Sequence, residues 1–385
     1  MLTACHVRSL PRQCPLAIQA SIRHAIPLER FVSALFSEFE LGSGRGPLKL
    51  ANRIVVAPMC QYSCVDGLAS DWHLMHWGNL LNSGAGLFTI EATAVSERGR
   101  ITPGCLGLYN DATAQAMADV LGRARRLAPP VPVSIQLGHA GRKASSHVPW
   151  NSGKLIPQSE GGWWPEAPSA VPITATEPAP EAISPAALDG ILKDFVRAAQ
   201  RAQEMGIEAV ELHGAHGYLL HQFMSPLTNR RNDQYGGSRE NRMRLPLEVI
   251  AELRTIVPST HALGARITAT DWMPDGIQEA DCAVFARELE ALGTDYVCVT
   301  SGGLILTAPI KIAPGYQVAF ASAVKKVVSK MVVRCVGLIA EPVQAEQLIS
   351  SGQADQVAMA RAFLDDPRWG WHAAEKLGVK LDLPP

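Results

Sequence analysis

The chain lacks an excess of either charge and any long apolar run. It has 385 residues, and its 35 basic side chains nearly balance 36 acidic ones, which leaves a formal net charge of −1. Such a balance provides no broad electrostatic surface for nucleic acid or for an anionic membrane. No segment approaches the roughly 18 consecutive apolar residues that a membrane-spanning helix needs. We therefore expect a soluble protein with no nucleic-acid or membrane partner.

The cysteines lack the tight spacing of a disulfide framework or of a metal site. All eight are scattered through the chain, and a reducing compartment such as the cytoplasm is the simpler interpretation. Cys60 and Cys64 form a C-x-x-x-C pair, but no second pair or histidine cluster completes a zinc site. We predict no metal, and we expect Cys298 and Cys335, which fall in apolar strand patterns, to be core thiols.

Residues 1–31 differ in composition from the rest of the chain. Four arginines accompany a single acidic residue, Glu29, and no strand pattern is visible. A basic, acid-poor leader is typical of an organelle-targeting peptide, and an upstream start codon that adds a disordered extension explains the composition equally well. Both interpretations leave residues 32–385 as one catalytic domain.

From residue 33 onward, strand and helix patterns alternate. Strands are predicted at 52–59, 87–95, 131–137, 209–212, 262–268, 296–300, 332–336 and 356–360. A helical pattern follows each strand, so the fold class is α/β and the predicted architecture is a single (β/α)8 TIM barrel. The alternative is an open doubly wound sheet, but no G-x-G-x-x-G opens a helix after the first strand. The proline-rich segment 145–184 is a long insertion after strand 3, which favours a functional lid or excursion.

The stretch from His213 to Tyr218 gathers three polar side chains after the fourth predicted strand. Only glycine and alanine separate His213, His216 and Tyr218, so the backbone can turn tightly and bring their polar heads together. Imidazole and phenol groups donate hydrogen bonds and protons, which suits a site that polarises or protonates a substrate oxygen. A pair of structural histidines is the alternative.

The other predicted strand ends carry donors and glycines but few carboxylates. In chain order these residues are Pro58, Met59, Cys60, Gln61, Tyr62, Glu91, Ala92, Thr93, Gln136, Gly138, His139, Arg266, Ser301, Gly302, Gly303, Gly337 and Arg361. A metal-centred hydrolase or a paired-carboxylate glycosidase would need more acidic groups. Glycine-bearing loops after the last three strands instead fit a phosphate held by backbone N–H groups. The pattern therefore predicts a bound phosphorylated cofactor.

Several motifs carry a resemblance to a known family. They are A-P-M-C-Q-Y-S at 57–63, E-A-T-A-V at 91–95, Q-L-G-H-A-G-R-K at 136–143, E-L-H-G-A-H-G-Y-L-L-H-Q-F-x-S-P at 211–226, N-x-R-x-D-x-Y-G-G-S-x-E-N-R at 229–242 and P-G-Y-Q-V-x-F-A at 314–321. Over about residues 33–379 the chain resembles the Old Yellow Enzyme family of FMN-dependent ene-reductases. It is most similar to the bacterial branch of xenobiotic reductases and thermophilic-like enzymes, which carry a cysteine at the position of Cys60.

The resemblance implies an enzyme that uses NADPH and FMN to reduce activated C=C bonds of enones, enals, maleimides or nitro compounds. It implies hydride transfer from flavin N5, substrate binding by His213 and His216 with Tyr62 lining the pocket, and proton donation by Tyr218. The residues implied to bind the cofactor are Pro58, Met59, Cys60, Ala92, Gln136, Arg266, Gly303, Gly337 and Arg361. Within this set, Cys60 would tune the flavin potential, and Gly337 and Arg361 would hold the phosphate.

The resemblance also implies a homodimer or homotetramer. Relatives continue past the position of Leu383 with an aromatic and basic tail that enters a neighbouring active site, so we expect that shared contact to be missing here. Two other functions stay open, a flavin-binding redox sensor without efficient turnover and a phosphate-binding barrel lyase. A lyase would need a Schiff-base lysine or a glutamate at a strand end. No predicted strand contains a lysine, and Lys143 follows strand 3 in a loop.

Overall fold

The computed structural model describes residues 32–42 and 46–381. The predictions made for residues 1–31 and for the C-terminal tail therefore lie outside the described residues. Within them, no helix is both long and apolar enough to cross a membrane.

Eight parallel strands close into a barrel, which confirms the predicted (β/α)8 fold. The strands are β1 (Ile54–Val56), β2 (Leu87–Ala94), β3 (Val133–Gly138), β4 (Ala209–Gly214), β5 (Ala262–Thr268), β6 (Tyr296–Thr300), β7 (Val332–Cys335) and β8 (Gln356–Met359). Each strand pairs with the next along the chain, and β8 pairs with β1 to close the barrel. Because all strands run the same way, their C-terminal ends and the loops that follow meet at one face.

A helix follows each strand and packs outside the barrel. These helices are α1 (Asp71–Leu81), α2 (Asp111–Arg126), α3 (Pro185–Glu204), α4 (Arg239–Ile256), α5 (Glu279–Ala291), α6 (Val318–Lys325), α7 (Pro342–Ser350) and α8 (Trp369–Lys376). The N-terminus of α3 is capped, because the Ser184 side chain accepts a hydrogen bond from Ala187 N–H and Pro185 opens the helix. Its apolar stripe, including Leu188 and Phe195, is buried.

The structure also contains elements that the sequence patterns did not predict. A short antiparallel hairpin joins Phe39–Leu41 to Leu48–Leu50 before the first barrel strand. Short helices cover Leu219–Met224 and Arg361–Asp365 directly after β4 and β8. Several barrel strands are also shorter than predicted, because their last residues leave the sheet to form loops at the C-terminal face.

The barrel interior contains a charged and polar layer in an otherwise apolar core. Arg334 of β7 is 1% exposed and pairs with Glu211 of β4 at 3.2 Å, while the guanidinium lies 4.1 Å from the centre of the Tyr296 ring. Gln136 of β3 donates to the second Glu211 oxygen at 2.7 Å. Gly264 of β5 leaves room for the tyrosine, because a Cβ there would lie 2.2 Å from its ring. The bond to Glu211 therefore fixes the side chain of Gln136, one of the predicted cofactor-binding residues.

The insertion after β3 folds back onto the C-terminal face. Arg98 bonds to Glu166 at 2.7 Å and to Glu181 at 3.1 Å, and these residues lie in two short paired segments, Glu166–Ala167 and Glu181–Ala182. Buried Arg142 donates to the carbonyl of Pro172 at 3.0 Å and to the carbonyl of Leu304 in the β6 loop at 2.9 Å. The predicted excursion is therefore an ordered wall of the barrel mouth.

Candidate active site

The end of β4 and the loop after it hold the three predicted catalytic residues at the barrel mouth. His213 is the penultimate residue of the strand, and the backbone then adopts positive φ at His216 (58°) and Gly217 (74°). A Cβ at Gly217 would lie 2.5 Å from the carbonyl oxygen of Gly303 in the β6 loop. Glycine is therefore required at position 217 both by its backbone conformation and by this close approach.

A chain of hydrogen bonds connects the two histidines to the β6 loop. Ala215 N–H donates to His213 Nδ1 at 3.3 Å, which leaves the proton on Nε2. That Nε2 lies 3.4 Å from His216 Nδ1, and His216 Nε2 lies 3.1 Å from the Thr300 hydroxyl. Thr300 in turn donates to Gln317 Oε1 at 3.0 Å. Both histidines therefore carry an Nε2–H proton, and a substrate oxygen would replace the long acceptor contact of His213 and the Thr300 contact of His216.

Burial sets the protonation states of these groups. It lowers the pKa of His213 and of His216 well below the usual value, and nearby Arg266 lowers both further. Burial also raises the pKa of Tyr218 well above its usual value. The imidazoles are therefore neutral N–H donors at neutral pH and the phenol keeps its proton. The Tyr218 ring meets His213 edge-on at 4.8 Å between centres, so donor and acid face one volume.

A second layer of buried side chains supports the β4 loop from beneath. Gly217 N–H donates to His221 Nδ1 at 2.8 Å, so the His221 proton sits on Nε2, 2.8 Å from Asp271 Oδ1. Ser225 Oγ and Ile277 N–H donate to the other Asp271 oxygen at 2.7 and 2.8 Å. These contacts give His221 a structural role. Asp271 was not predicted.

Two cavities open on either side of the β4 loop. One encloses about 300 Å³ between the β5, β6, β7 and β8 ends and is lined by His216, Arg266, Gly303, Gly337 and Arg361. The other encloses about 350 Å³ beneath the insertion and is lined by Tyr62, Lys143, His147, Thr174 and Tyr218. The first cavity thus holds four of the predicted cofactor residues together with His216, and the second holds Tyr62 and Tyr218, so the mouth offers room for two ligands.

The first cavity has the chemistry that a flavin phosphate and a flavin ring would need. Arg266 is half-buried, and no described residue bonds to its Nε. Gly303 (φ 84°) and Gly337 (φ 118°) expose backbone in conformations that favour glycine. Arg361 stands at the same cavity, on the first turn after β8. The unpaired guanidinium, the second arginine and the open backbone together fit FMN.

The remaining predicted cofactor residues surround the mouth on β1, β2 and β3. Pro58, Met59 and Cys60 follow β1 and are half-buried. A β-bulge between Ile90 and Ala92 turns Glu91 toward Gln61 N–H, 2.9 Å away, and leaves Ala92 partly exposed in a strand otherwise buried. Burial raises the pKa of Cys60 well above the usual value for a thiol. Tyr62 adopts a positive φ of 53° and meets Trp150 of the insertion edge-on.

Sequence reasoning also missed Lys143, which the structure brings into the site. Lys143 was set aside as a loop residue, yet its Nζ donates to the His216 carbonyl at 2.8 Å and to the Gly303 carbonyl. It also lies 5.5 Å from the centre of the Tyr218 ring. Lys143 is the last residue of the Q-L-G-H-A-G-R-K motif, so the sequence did contain a signal for it. The motif did not reveal that a tight turn at Gly141–Lys143 points the lysine side chain back over β4.

Comparison with known proteins decides which family this site belongs to. The model of the NADH:flavin oxidoreductase / NADH oxidase family matches residues 34–379. The chain belongs to this family. Its members are flavin-dependent oxidoreductases, so the predicted Old Yellow Enzyme resemblance, enzyme class and FMN cofactor are confirmed. In the described part of the chain, no group of three or more His, Cys, Asp or Glu residues is arranged to hold a metal ion.

Individual relatives cover nearly the whole chain. An NADPH dehydrogenase of Geobacillus thermodenitrificans is 38% identical over 354 residues, which are 91% of this chain and 97% of that protein. An NADH:flavin oxidoreductase of Gibberella zeae is 40% identical over 349 residues, 86% of this chain and 84% of the relative. Morphinone reductase in complex with tetrahydroNAD is 27% identical, with a TM-score of 0.73 and coverage of 91% and 93% of the two chains. This flavin oxidoreductase thus shares its fold with morphinone reductase and most of its length with all three proteins.

Proposed function

We propose that this family member is an NADPH-dependent ene-reductase that reduces electron-poor C=C bonds conjugated to a carbonyl or nitro group. The single observation that carries the proposal is the convergence of two neutral imidazole donors and a protonated phenol at one barrel mouth, beside a cavity suited to FMN. The NADPH dehydrogenase name of a relative that is 38% identical supports NADPH as the reductant.

When bound, FMN would supply two-electron hydride-transfer chemistry between the nicotinamide and the alkene. The proposed task of His213 and His216 is to donate their Nε2–H groups to the substrate oxygen. Hydrogen bonds to that oxygen draw electron density from the conjugated alkene and stabilise the negative charge that develops during reduction. Because burial keeps both rings neutral, this donation does not depend on protonating either one.

The proposed task of Tyr218 is to protonate the α-carbon. Its O–H bond breaks as the new C–H bond forms, and the electron pair stays on the phenolic oxygen until solvent returns a proton. A phenol has an ordinary pKa of about 10, and burial raises that of Tyr218, so the acid form is present at neutral pH. The pocket wall formed by Tyr62 and the insertion would shape the substrate around this acid.

The proposed cofactor contacts follow the first cavity. Arg266 would place a positive charge near the reduced, electron-rich ring, and Gly303, Gly337 and Arg361 would hold the phosphate. Gln136, held by Glu211, would meet the ring from the barrel interior. The proposed contacts from β1 and β2 are Pro58, Met59, Cys60 and Ala92.

The two alternatives have less support. A redox sensor built on Cys60 would need an accessible thiolate, and burial raises the pKa of that thiol instead. A Schiff-base lyase would need a free amine, but the Lys143 amine bonds to the carbonyls of His216 and Gly303.

We further propose a cytoplasmic location, which agrees with six unpaired cysteines in the described residues. A homodimer or homotetramer remains a prediction that sedimentation analysis would test.

An anaerobic absorption titration tests the proposed function. The purified protein should show a flavin band that bleaches on addition of NADPH and returns on addition of 2-cyclohexenone. Bleaching without return would contradict the ene-reductase proposal and favour the redox sensor. A protein that stays colourless after incubation with FMN would contradict the proposed cofactor site.

A further inference from the structure

Lys143 occupies a position between the two loops that carry the site. It ends the tight turn Gly141–Lys143 after β3, and its ammonium group reaches the His216 carbonyl at 2.8 Å and the Gly303 carbonyl. Those carbonyls belong to the β4 loop, which carries Tyr218, and to the β6 loop, which lines the proposed phosphate cavity. One side chain therefore bridges the proposed substrate and cofactor sites.

The Lys143 charge is not neutralised by its surroundings. Within the described residues, its amine bonds to two carbonyls and to no carboxylate. It lies over the Tyr218 ring, 5.5 Å from the ring centre, and both side chains line the cavity beneath the insertion. A buried ammonium without an acid partner is costly to keep, so its place beside the phenol calls for a chemical reason.

The proton-transfer step provides that reason. When Tyr218 gives its proton to the substrate, it becomes a phenolate in surroundings that disfavour a negative charge. A nearby cation lowers the free energy of that phenolate and of the transition state that leads to it. The same cation fixes the backbone from which the tyrosine projects.

We propose that Lys143 is a positioning residue that locks the β4 loop against the β6 loop and stabilises the phenolate formed on Tyr218. This inference rests on the proposed function of Tyr218. It assigns Lys143 to the alkene half of the reaction and not to the NADPH half, because only the alkene half consumes the Tyr218 proton.

The surroundings predict a pH dependence that separates Lys143 from its neighbours. Burial, with a smaller effect from Arg142, lowers the pKa of Lys143 to about 8. Other charged or titratable side chains that face the same space, besides His213, His216 and Tyr218, are Tyr62, Arg142, His147, Lys154, Glu177 and Arg266. Burial lowers the pKa values of His213 and His216 and raises those of Tyr62 and Tyr218. These four groups therefore do not titrate near the pKa of Lys143. Loss of the Lys143 proton above pH 8 should therefore slow alkene reduction.

The test measures both half-reactions of the FMN-loaded enzyme by stopped flow across pH 6.5–9.5, in four variants. K143M removes the charge, K143R keeps it, Y218F removes the acid but keeps the ring, and the fourth variant combines K143M with Y218F. We expect K143M to slow reoxidation by 2-cyclohexenone about tenfold, the scale of one charge acting at this distance, and to change reduction by NADPH less than twofold. K143R should retain most of the rate and lose the decline above pH 8.

The combined variant separates this inference from the proposed function. If Lys143 acts through the phenolate, K143M should have little further effect once Tyr218 is phenylalanine. An equal effect in both backgrounds, or equal slowing of both half-reactions, would overturn the inference and leave the role of Tyr218 intact. Reoxidation of Y218F at the rate of the unmodified enzyme would overturn the proposed role of Tyr218 itself. If K143M does not fold, the pH profile of K143R decides: an unchanged decline above pH 8 overturns the inference.

Discussion

His221 Nε2 lies 2.8 Å from Asp271 Oδ1, and neither side chain is exposed to solvent. The other histidine nitrogen accepts the N–H of Gly217, in the middle of the loop that carries His216 and Tyr218. Asp271 accepts two further bonds, from Ser225 and Ile277. Burial raises the pKa of Asp271, but His221 and these bonds more than offset that effect and lower it overall. The carboxylate therefore fixes the histidine tautomer that the catalytic loop needs.

Replacing Asp271 with asparagine should disturb that loop. An amide N–H facing His221 would move the histidine proton to Nδ1, where it would oppose the Gly217 N–H. We expect D271N to lower the free energy of unfolding by about 3 kcal/mol and to slow alkene reduction. Urea unfolding and steady-state kinetics measure the two effects. Ser225→Ala is the matched control, since it removes one bond to Asp271 at a cost of about 1 kcal/mol and leaves the tautomer alone; equal rates in D271N and S225A would refute this role.

The buried pair of Arg334 and Glu211 should matter more for stability than any surface pair. R334M would leave the Glu211 carboxylate without its cation in the barrel interior, where it is fully buried. We expect a loss of roughly 3–5 kcal/mol in the free energy of unfolding. The control is K193A, which breaks the exposed pair with Asp189 on α3 and should cost under about 1 kcal/mol. Similar losses in the two variants would show that the interior pair does not stabilise the barrel.

Sequence patterns predicted the fold well because each strand and helix has its own periodic signal. The bounds of β5 and β6 agree residue for residue with the predicted ranges 262–268 and 296–300. The hairpin at Phe39–Leu41 was missed because three-residue strands have no measurable period. Arg334 was missed for a different reason. A charged residue within an apolar strand pattern indicates the core only when its partner, Glu211, is known to lie across the barrel.

The candidate site could be predicted only partly, for similar reasons. His213, His216 and Tyr218 are neighbours in sequence, so their convergence could be predicted from the motif alone. Lys143 and Asp271 reach the same loop from β3 and β5, and that proximity depends on the curvature of the closed barrel. A pattern along one strand contains no information about which side chains from other strands will meet it.

Gly217 offers a test of whether the close contact between the β4 and β6 loops controls activity. G217A would place a Cβ 2.5 Å from the Gly303 oxygen and strain a φ of 74°. We expect the β4 loop to shift, with a loss of activity of at least tenfold, since misplaced catalytic groups are costly. G237A is the control, because Gly237 also has positive φ (80°) but has no atom within 4 Å of the added methyl. It should cost about 1 kcal/mol of stability with normal kinetics. Equal activity in both variants would refute the importance of the contact.

Buried neutral histidines should make the protein sensitive to mild acid. Burial, assisted by Arg98, lowers the pKa of His139 from 6.5 to about 4, and burial lowers those of His213 and His216 as well. Above pH 6.5 these groups are neutral in both the folded and the unfolded chain, so they add no pH dependence.

Below pH 6.5 the unfolded chain takes up protons that the folded chain refuses. The free energy of unfolding should therefore fall as pH decreases from 6.5 toward 4, by up to about 1.4 kcal/mol per pH unit for each histidine. Urea unfolding at pH 7, 6 and 5 measures the slope. H139Q removes one of these groups while its amide oxygen can still accept the Gly141 N–H that His139 Nδ1 accepts at 3.1 Å. The free energy of unfolding of H139Q should depend less steeply on pH, by the amount that corresponds to about one proton. A slope equal to that of the unmodified protein would show that His139 is protonated in the folded state as readily as in the unfolded one.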